Sequence, residues 1–252
     1  MNHILSSREG EVLAQMAWSR VLLAFDFDGT LAPIVGDRDA AVMRSRTAEL
    51  FRRVCELYPC AVISGRSSED VSARLGGAPV RHVFGNHGLE PGVGIESFAR
   101  QVASMRPRLE GALSEWPGVD IEDKKYSIAV HYRRSRRRKD ARRAIDAAIA
   151  GLSIPTRVIP GKLVVNVVPE GAPHKGQALL TAREREAADT ALYVGDDVTD
   201  EDVFQLDQPG RLLTIRVGLS RSSAAAYYLR GQREMDALLA KLAELRARNR
   251  GR

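Results

Sequence analysis

The chain has 252 residues, of which 44% are hydrophobic and 28% charged, with a net charge of +6 at pH 7. That apolar share is ample for one large or two small folded domains. No apolar run is long enough to span a bilayer, and no aromatics interleave the basic residues as base stacking would need, so neither a membrane nor nucleic acid is an expected partner. The first ten residues lack the basic-then-apolar layout of a secretory signal. The two cysteines, Cys55 and Cys60, fit no metal-ligand pattern. A reducing, cytoplasmic setting is the expectation.

The first element is an apolar strand, Val21–Phe25, and Asp26-Phe27-Asp28-Gly29-Thr30 follows it directly. In an open α/β sheet the crevice beyond a strand's carboxyl end is where ligands bind. Two adjacent acids repel unless a cation or a shared proton relieves them. A turn role accounts for Asp28-Gly29 but not for a second acid at the strand's last position. The chemical reading makes Asp26 a nucleophile toward phosphorus and Asp28 the general acid, then base.

A helix is expected over Ser45–Tyr58, stopping before Pro59. The next strand, Cys60–Ile63, ends in Ser64-Gly65-Arg66, and Ser67 or Ser68 caps a further helix. Ser64 emerges on the same sheet edge as Asp26, where its hydroxyl and the Gly65 N–H suit phosphoryl oxygens; a plain turn role is the alternative. A short strand, Arg81–Phe84, leads into Gly85-Asn86-His87-Gly88.

From residue 94 to 169 the pattern changes to helix, strand, strand, helix, strand, strand. The strands are Val119–Lys124, Ser127–Arg133, Thr156–Ile159 and Leu163–Val168. This stretch reads as an inserted α+β module, 94–169, in a parallel α/β core made of 1–93 and 170–252. The basic run from Arg133 to Arg143 reads as the solvated start and face of a helix reaching about Ala150. A field that draws in an anionic small molecule is the alternative.

The first pattern then resumes with a helix from Lys175, strand Ala191–Val194, a helix from Thr199, strand Leu212–Val217 and a last helix near Met235–Ala247. Lys175 opens its helix, where the dipole disfavours a cation; such a local conflict marks a functional position, although an exposed loop lysine is also consistent. In Gly195-Asp196-Asp197-Val198-Thr199-Asp200-Glu201-Asp202, capping explains the second half but not Asp196 at a strand end. Asp26, the Asp28 carbonyl and Asp196 would make a partial oxygen shell for Mg²⁺, with Asp200 supplementary. Beyond Arg216 no chemistry is evident.

These segments, in this order, resemble the four motifs of the haloacid dehalogenase superfamily of aspartate-nucleophile phosphatases, which have a Rossmann-like core and inserted caps. More narrowly, the chain resembles trehalose-6-phosphate phosphatases. The shared residues are Ile63-Ser64-Gly65-Arg66, Gly85-Asn86-His87-Gly88-Leu89-Glu90, Glu122-Asp123-Lys124-Lys125-Tyr126-Ser127, His131-Tyr132-Arg133, Gly161-Lys162 and the Gly195–Asp202 segment. The resemblance implies Asp26, Asp28, Ser64 and Lys175 as catalytic, and Asp26, Asp28, Asp196 and Asp200 around Mg²⁺. It implies Arg66, Asn86, His87, Glu122, Lys124, Arg133, Lys162 and Asn166 as contacts for a sugar phosphate, and a trehalose-6-phosphate synthase as pathway partner.

Two departures stand out. Asn166 takes the place of a usual Glu, and His174 that of a usual Asn. Without the resemblance, Glu122 and Lys124 read as a cross-strand ion pair on a solvated sheet face. The expected activity is hydrolysis of trehalose 6-phosphate. The alternatives are another glycosyl phosphate such as sucrose or glucosylglycerol phosphate, a phosphomutase, or a non-catalytic sugar-phosphate sensor.

Overall fold

The computed structural model describes residues 1–92, 95–161, 163–206 and 208–250. In chain order the elements are β1 (Asn2–His3), α1 (Gly10–Trp18), β2 (Val21–Phe25), α2 (Ser45–Leu57), β3 (Cys60–Ile63), α3 (Ser68–Arg74) and β4 (His82–Phe84). Next come α4 (Ile95–Leu113), β5 (Asp120–Asp123), β6 (Ile128–His131), α5 (Arg138–Ala150), β7 (Thr156–Gly161) and β8 (Val164–Pro169). The chain closes with α6 (Lys175–Arg185), β9 (Thr190–Gly195), α7 (Glu201–Phe204), β10 (Leu212–Val217), β11 (Tyr227–Leu229) and α8 (Met235–Arg250). The chain divides into two compact units, Met1–Pro91 with His174–Arg252, and Gly92–Pro173.

The first unit is a parallel seven-stranded sheet in the order β1-β11-β10-β9-β2-β3-β4. All five residues of β2 are buried, as a strand covered on both faces requires. Leu23 and Phe25 face a core shared with Phe51 and Val54 of α2 and Leu238, Leu239 and Leu242 of α8. Leu22 and Ala24, on the other face, meet Ala178 and Leu179 of α6 and Phe204 of α7. Strand alternation thus divides one apolar run between two helical layers.

Strands β3 and β4 extend the sheet to one side of β2, and β9, β10 and β11 to the other. The order therefore reverses between β2 and β9, and the crevice at such a reversal lies beyond the strands' carboxyl ends. Phe25 pairs with Val62 of β3 and Val194 of β9. That register brings Asp26, Ser64 and Asp196 to one edge of the sheet.

The expected core elements are present: the sheet is parallel and the fold is mixed α/β. The sequence reading overlooked β1, α1 and β11. β1 and β11 span two and three residues, too short for period-two alternation to register. The helix expected from Thr199 is a 3₁₀ turn, Val198–Asp200, followed by α7. Its N-cap is Asp197, not Thr199, because Asp197 and Asp200 form a reciprocal capping box.

The second unit is an antiparallel sheet in the order β5-β6-β8-β7. Ile128, Val130, Val165 and Val167 turn one face toward α4 and α5, where they pack on Val102, Met105, Leu109, Ala141 and Ile145. The opposite face carries the row Glu122, Ala129, Asn166 and Ile159, which are direct cross-strand partners.

Candidate active site

Where β2 ends, the Asp26 N–H donates to the Val194 carbonyl at 2.8 Å and keeps the residue in strand register for one more step. The chain then folds back tightly. The Phe27 carbonyl accepts from the Thr30 and Ala32 N–H groups, and the Gly29 N–H donates to the Ala32 carbonyl on the return limb. Gly29 has φ +86°, and a Cβ there would lie 2.1 Å from Asp196 Oδ2. Only glycine lets the loop turn left-handed and press against that carboxylate.

Lys175, at the first position of α6, is buried. Its Nζ donates to Asp26 Oδ1 at 2.8 Å and to Asp200 Oδ1 at 2.7 Å. The Tyr193 hydroxyl donates to the same Asp200 oxygen at 2.6 Å. Asp200 Oδ2 accepts from the N–H groups of Asp196 and Asp197, both at 2.8 Å. Both oxygens of Asp200 are therefore occupied by donors. Its position fixes the ammonium on one side and the Asp196 loop on the other.

Burial alone would lower the affinity of Lys175 for its proton, but Asp200 and Asp26 outweigh it and hold the ammonium charged. The acids show the opposite strain. Burial, against the pull of Lys175 and with repulsion from Asp200 and Asp28, pushes Asp26 up to about 7. Burial with Asp26, Asp200 and Asp197 nearby pushes Asp196 up to about 9. One ammonium does not balance this much negative charge.

A divalent cation would complete the balance, and the residues present fit one. Carboxylate oxygens of Asp26, Asp196 and Asp200 lie within 4.8 Å of one another. Asp196 Oδ1 is buried with no hydrogen-bond partner among the described residues, an orphan acceptor of the kind that calls for a donor or ion. An all-oxygen set suits Mg²⁺. Since Asp200 spends its oxygens on protein donors, Asp26 and Asp196 are the better direct ligands.

Asp28 is held from the β3 side. Arg66 Nε and Nη2 reach its two oxygens at 2.7 and 2.8 Å, a bidentate pair. Arg66 Nη1 donates to Asp70 at 2.8 Å, and Arg74 Nε to the same carboxylate at 2.8 Å. The Arg66 side chain is only 1% exposed. Arg66, among the residues expected to contact substrate, is paired here with Asp28 and Asp70. Ser64 is buried; its Oγ accepts from the Arg66 N–H at 3.1 Å, which leaves the hydroxyl proton for a ligand.

The Gly85–Leu89 loop is tied to the same edge. Asn86 N–H donates to the Arg66 carbonyl at 2.7 Å, and His87 N–H to the Ser64 carbonyl at 2.8 Å. Gly88, at φ +103°, lies where a Cβ would meet the His174 carbonyl at 2.8 Å. This packing supports the residue just before Lys175. His174 itself is the N-cap of α6 but does not cap it with its side chain.

In the second unit, Glu122 Oε2 lies 2.9 Å from His131 Nε2 on the neighbouring strand. Lys124 stands one residue past β5, its N–H bonded to the Ser127 carbonyl. Asn166 is 8% exposed and its Oδ1 has no hydrogen-bond partner among the described residues. Arg133 is exposed, and Lys162 lies outside the described residues. The structure gathers Asp26, Asp28, Ser64, Lys175, Asp196 and Asp200 at one sheet edge. It places Glu122 and Asn166 on one face of the other sheet.

Sequence reasoning missed Tyr193, Asp70, Arg74 and His131. Arg66, Asp70 and Arg74 are spaced by four, the interval at which helical ion pairs meet, so that signal was present. Tyr193 is a polar-tipped aromatic in an otherwise apolar strand, and such a residue usually carries a buried hydroxyl bond.

A family model for trehalose-phosphatases matches residues 24–231. The trehalose-phosphate phosphatase of Mycobacterium ulcerans (strain Agy99) is 34% identical over 204 residues, covering 75% of this chain and 52% of that protein. The one from Mycobacterium tuberculosis (strain ATCC 25618 / H37Rv) is 34% identical over 199 residues, with 73% and 51% covered. The chain thus spans about half the length of the curated relatives it matches. The C-terminal domain of the C. albicans trehalose-6-phosphate phosphatase shares the fold, with a TM-score of 0.73, 24% identity and coverage of 94% and 97%.

Proposed function

The chain belongs to the trehalose-phosphatase family, and on that premise we propose that it hydrolyses trehalose 6-phosphate through an aspartyl-phosphate on Asp26. The observation that carries this reading is the buried Lys175 bridging Asp26 and Asp200 beside the unpartnered Asp196 Oδ1. Such an array is costly to bury, and a phosphoryl group with a cation would relieve it.

In the proposed reaction Asp26 attacks phosphorus while the bond to the sugar oxygen breaks, and Asp28 gives that oxygen a proton. Asp28 then takes a proton from water, which attacks the aspartyl-phosphate, releases inorganic phosphate and restores Asp26. Arg66 keeps both oxygens of Asp28 in place between these steps. Lys175 neutralises Asp26, and the Ser64 hydroxyl and Gly65 N–H receive phosphoryl oxygens. Mg²⁺ on Asp26, Asp196 and the Asp28 carbonyl would supply charge neutralisation at the phosphoryl group.

Recognition of the sugar is assigned, on the resemblance, to Glu122, Lys124, Arg133, Lys162 and Asn166, with Asn86 and His87 from the first unit. Residues 94–169 serve as the cap in this reading. Asn166 favours a second reading, a related glycosyl phosphate, because a neutral amide binds sugar hydroxyls less strongly than a carboxylate.

The covalent step has a direct test. Acid-quenching the enzyme during turnover and mapping peptides by mass spectrometry should find phosphate on the peptide that contains Asp26. Asp26→Asn should lose both the adduct and phosphate release, by at least about 10³-fold, with an unchanged circular dichroism spectrum. Normal turnover by that variant would remove Asp26 from the nucleophile role.

A further inference from the structure

The loop that carries Asp26 and Asp28 makes two carbonyls that its own turn does not satisfy. Phe27 to Ala32 are closed by the Gly29, Thr30 and Ala32 N–H groups, and Asp28 is bridged to Ala32. Thr30, Leu31 and Ala32 are fully buried. The carbonyls of Thr30 and Leu31 accept none of these turn bonds, and buried carbonyls need donors.

The donor comes from the far end of the chain. Gln232 Nε2 lies 3.1 Å from the Thr30 oxygen and 3.1 Å from the Leu31 oxygen. Two acceptors facing one side-chain atom identify it as the amide NH₂, whose two protons match the two carbonyls. Gln232 opens the 3₁₀ turn Gln232–Glu234 between β11 and α8. That turn is itself fixed. Glu234 Oε2 accepts from the Arg230 N–H at 2.8 Å and lies 2.8 Å from His3 Nε2. Met235, the next residue, is fully buried. A rigid support of this kind is what holds a reacting group in place.

The geometry points to Gln232 as a positioning residue for the Asp26–Asp28 loop: its amide pins the return limb and so sets where Asp28 stands relative to Asp26. This rests on the reading of Asp26 and Asp28 as the reacting pair. Gln232 touches neither substrate nor the reacting atoms in this account. Its effect passes through the loop, where a misplacement of about 1 Å is enough to slow a reaction by up to about a hundredfold.

The test compares wild type with Gln232→Met, which keeps length and removes both donors, and Gln232→Glu, which sets a carboxylate against two carbonyls. Phosphate release from trehalose 6-phosphate at saturating Mg²⁺ should show kcat lowered about tenfold in Gln232→Met and further in Gln232→Glu, with KM changed less than about twofold. Amide hydrogen exchange should quicken within residues 26–32, with β10 and α8 unchanged. Unchanged kcat with unchanged exchange in 26–32 would overturn the assignment, as would faster exchange spread across β10 and α8. A wild type that does not hydrolyse trehalose 6-phosphate would sink the functional reading alone. The exchange comparison would then still decide whether Gln232 holds the loop.

Discussion

At the scale of single residues, the site is a problem of crowded charge with an arranged solution. Carboxylate oxygens of Asp26, Asp196 and Asp200 lie within 4.8 Å of one another, and those of Asp26 and Asp200 accept from one buried lysine. The carboxyls of Asp26 and Asp196 are raised to about 7 and about 9, by burial first and then by neighbouring carboxylates, Asp200 common to both. Protonation is therefore favoured in the folded, metal-free protein. The stability these two groups contribute is complete below the ordinary carboxylate range and is lost as pH rises through 7 and then 9. A divalent cation binds the ionised forms and competes with those protons. Melting curves in EDTA and in saturating Mg²⁺ should therefore show a Tm gain from Mg²⁺ that grows from pH 6 to pH 9. A gain that is constant or shrinks over that interval would remove the cation from this cluster.

At the scale of elements, the site depends on what stands behind each strand end. Asp26 is fixed by the β2–β9 register, Lys175 by the start of α6, and Asp28 by the Arg66–Asp70–Arg74 chain along α3. α8 closes the layer behind β2, with Leu238, Leu239 and Leu242 fully buried. Leu239→Ala should cost about 2–5 kcal/mol of stability, seen as a lower denaturant midpoint with phosphate release retained under native conditions. A loss below about 0.5 kcal/mol would show that α8 is not part of this core.

Much of this frame was legible in the sequence. β2 announces itself as five apolar residues before an acid. α2 shows helical spacing and stops before Pro59, and the Lys175 cation at a helix start is a local conflict that the buried pair explains. What was not legible depends on contacts across long separations. Gln232 lies 202 residues from the Thr30 carbonyl it meets, and β1 and β11 are strands only because each pairs with a neighbour. The pairing of Arg66 with Asp28 joins residues that only the fold brings together.

At the scale of the whole molecule, the division of labour follows the two units. The parallel-sheet unit holds the groups proposed to act on the phosphate ester, Asp26, Asp28, Ser64 and Lys175 among them. The antiparallel unit carries most of the residues assigned to the sugar, among them Asn166, whose buried oxygen has no donor among the described residues. A sugar hydroxyl can supply one. The proposal of trehalose 6-phosphate rests on family membership, and Asn166 is a position at which the resemblance implies a departure.

The most direct test of the account is phosphate release across a panel of phosphorylated mono- and disaccharides, with Mg²⁺ and again with EDTA. The account predicts trehalose 6-phosphate among the best substrates, free trehalose as product, and reversible loss of activity in EDTA. Faster release from other sugar phosphates with little from trehalose 6-phosphate, or full activity in EDTA, would contradict it.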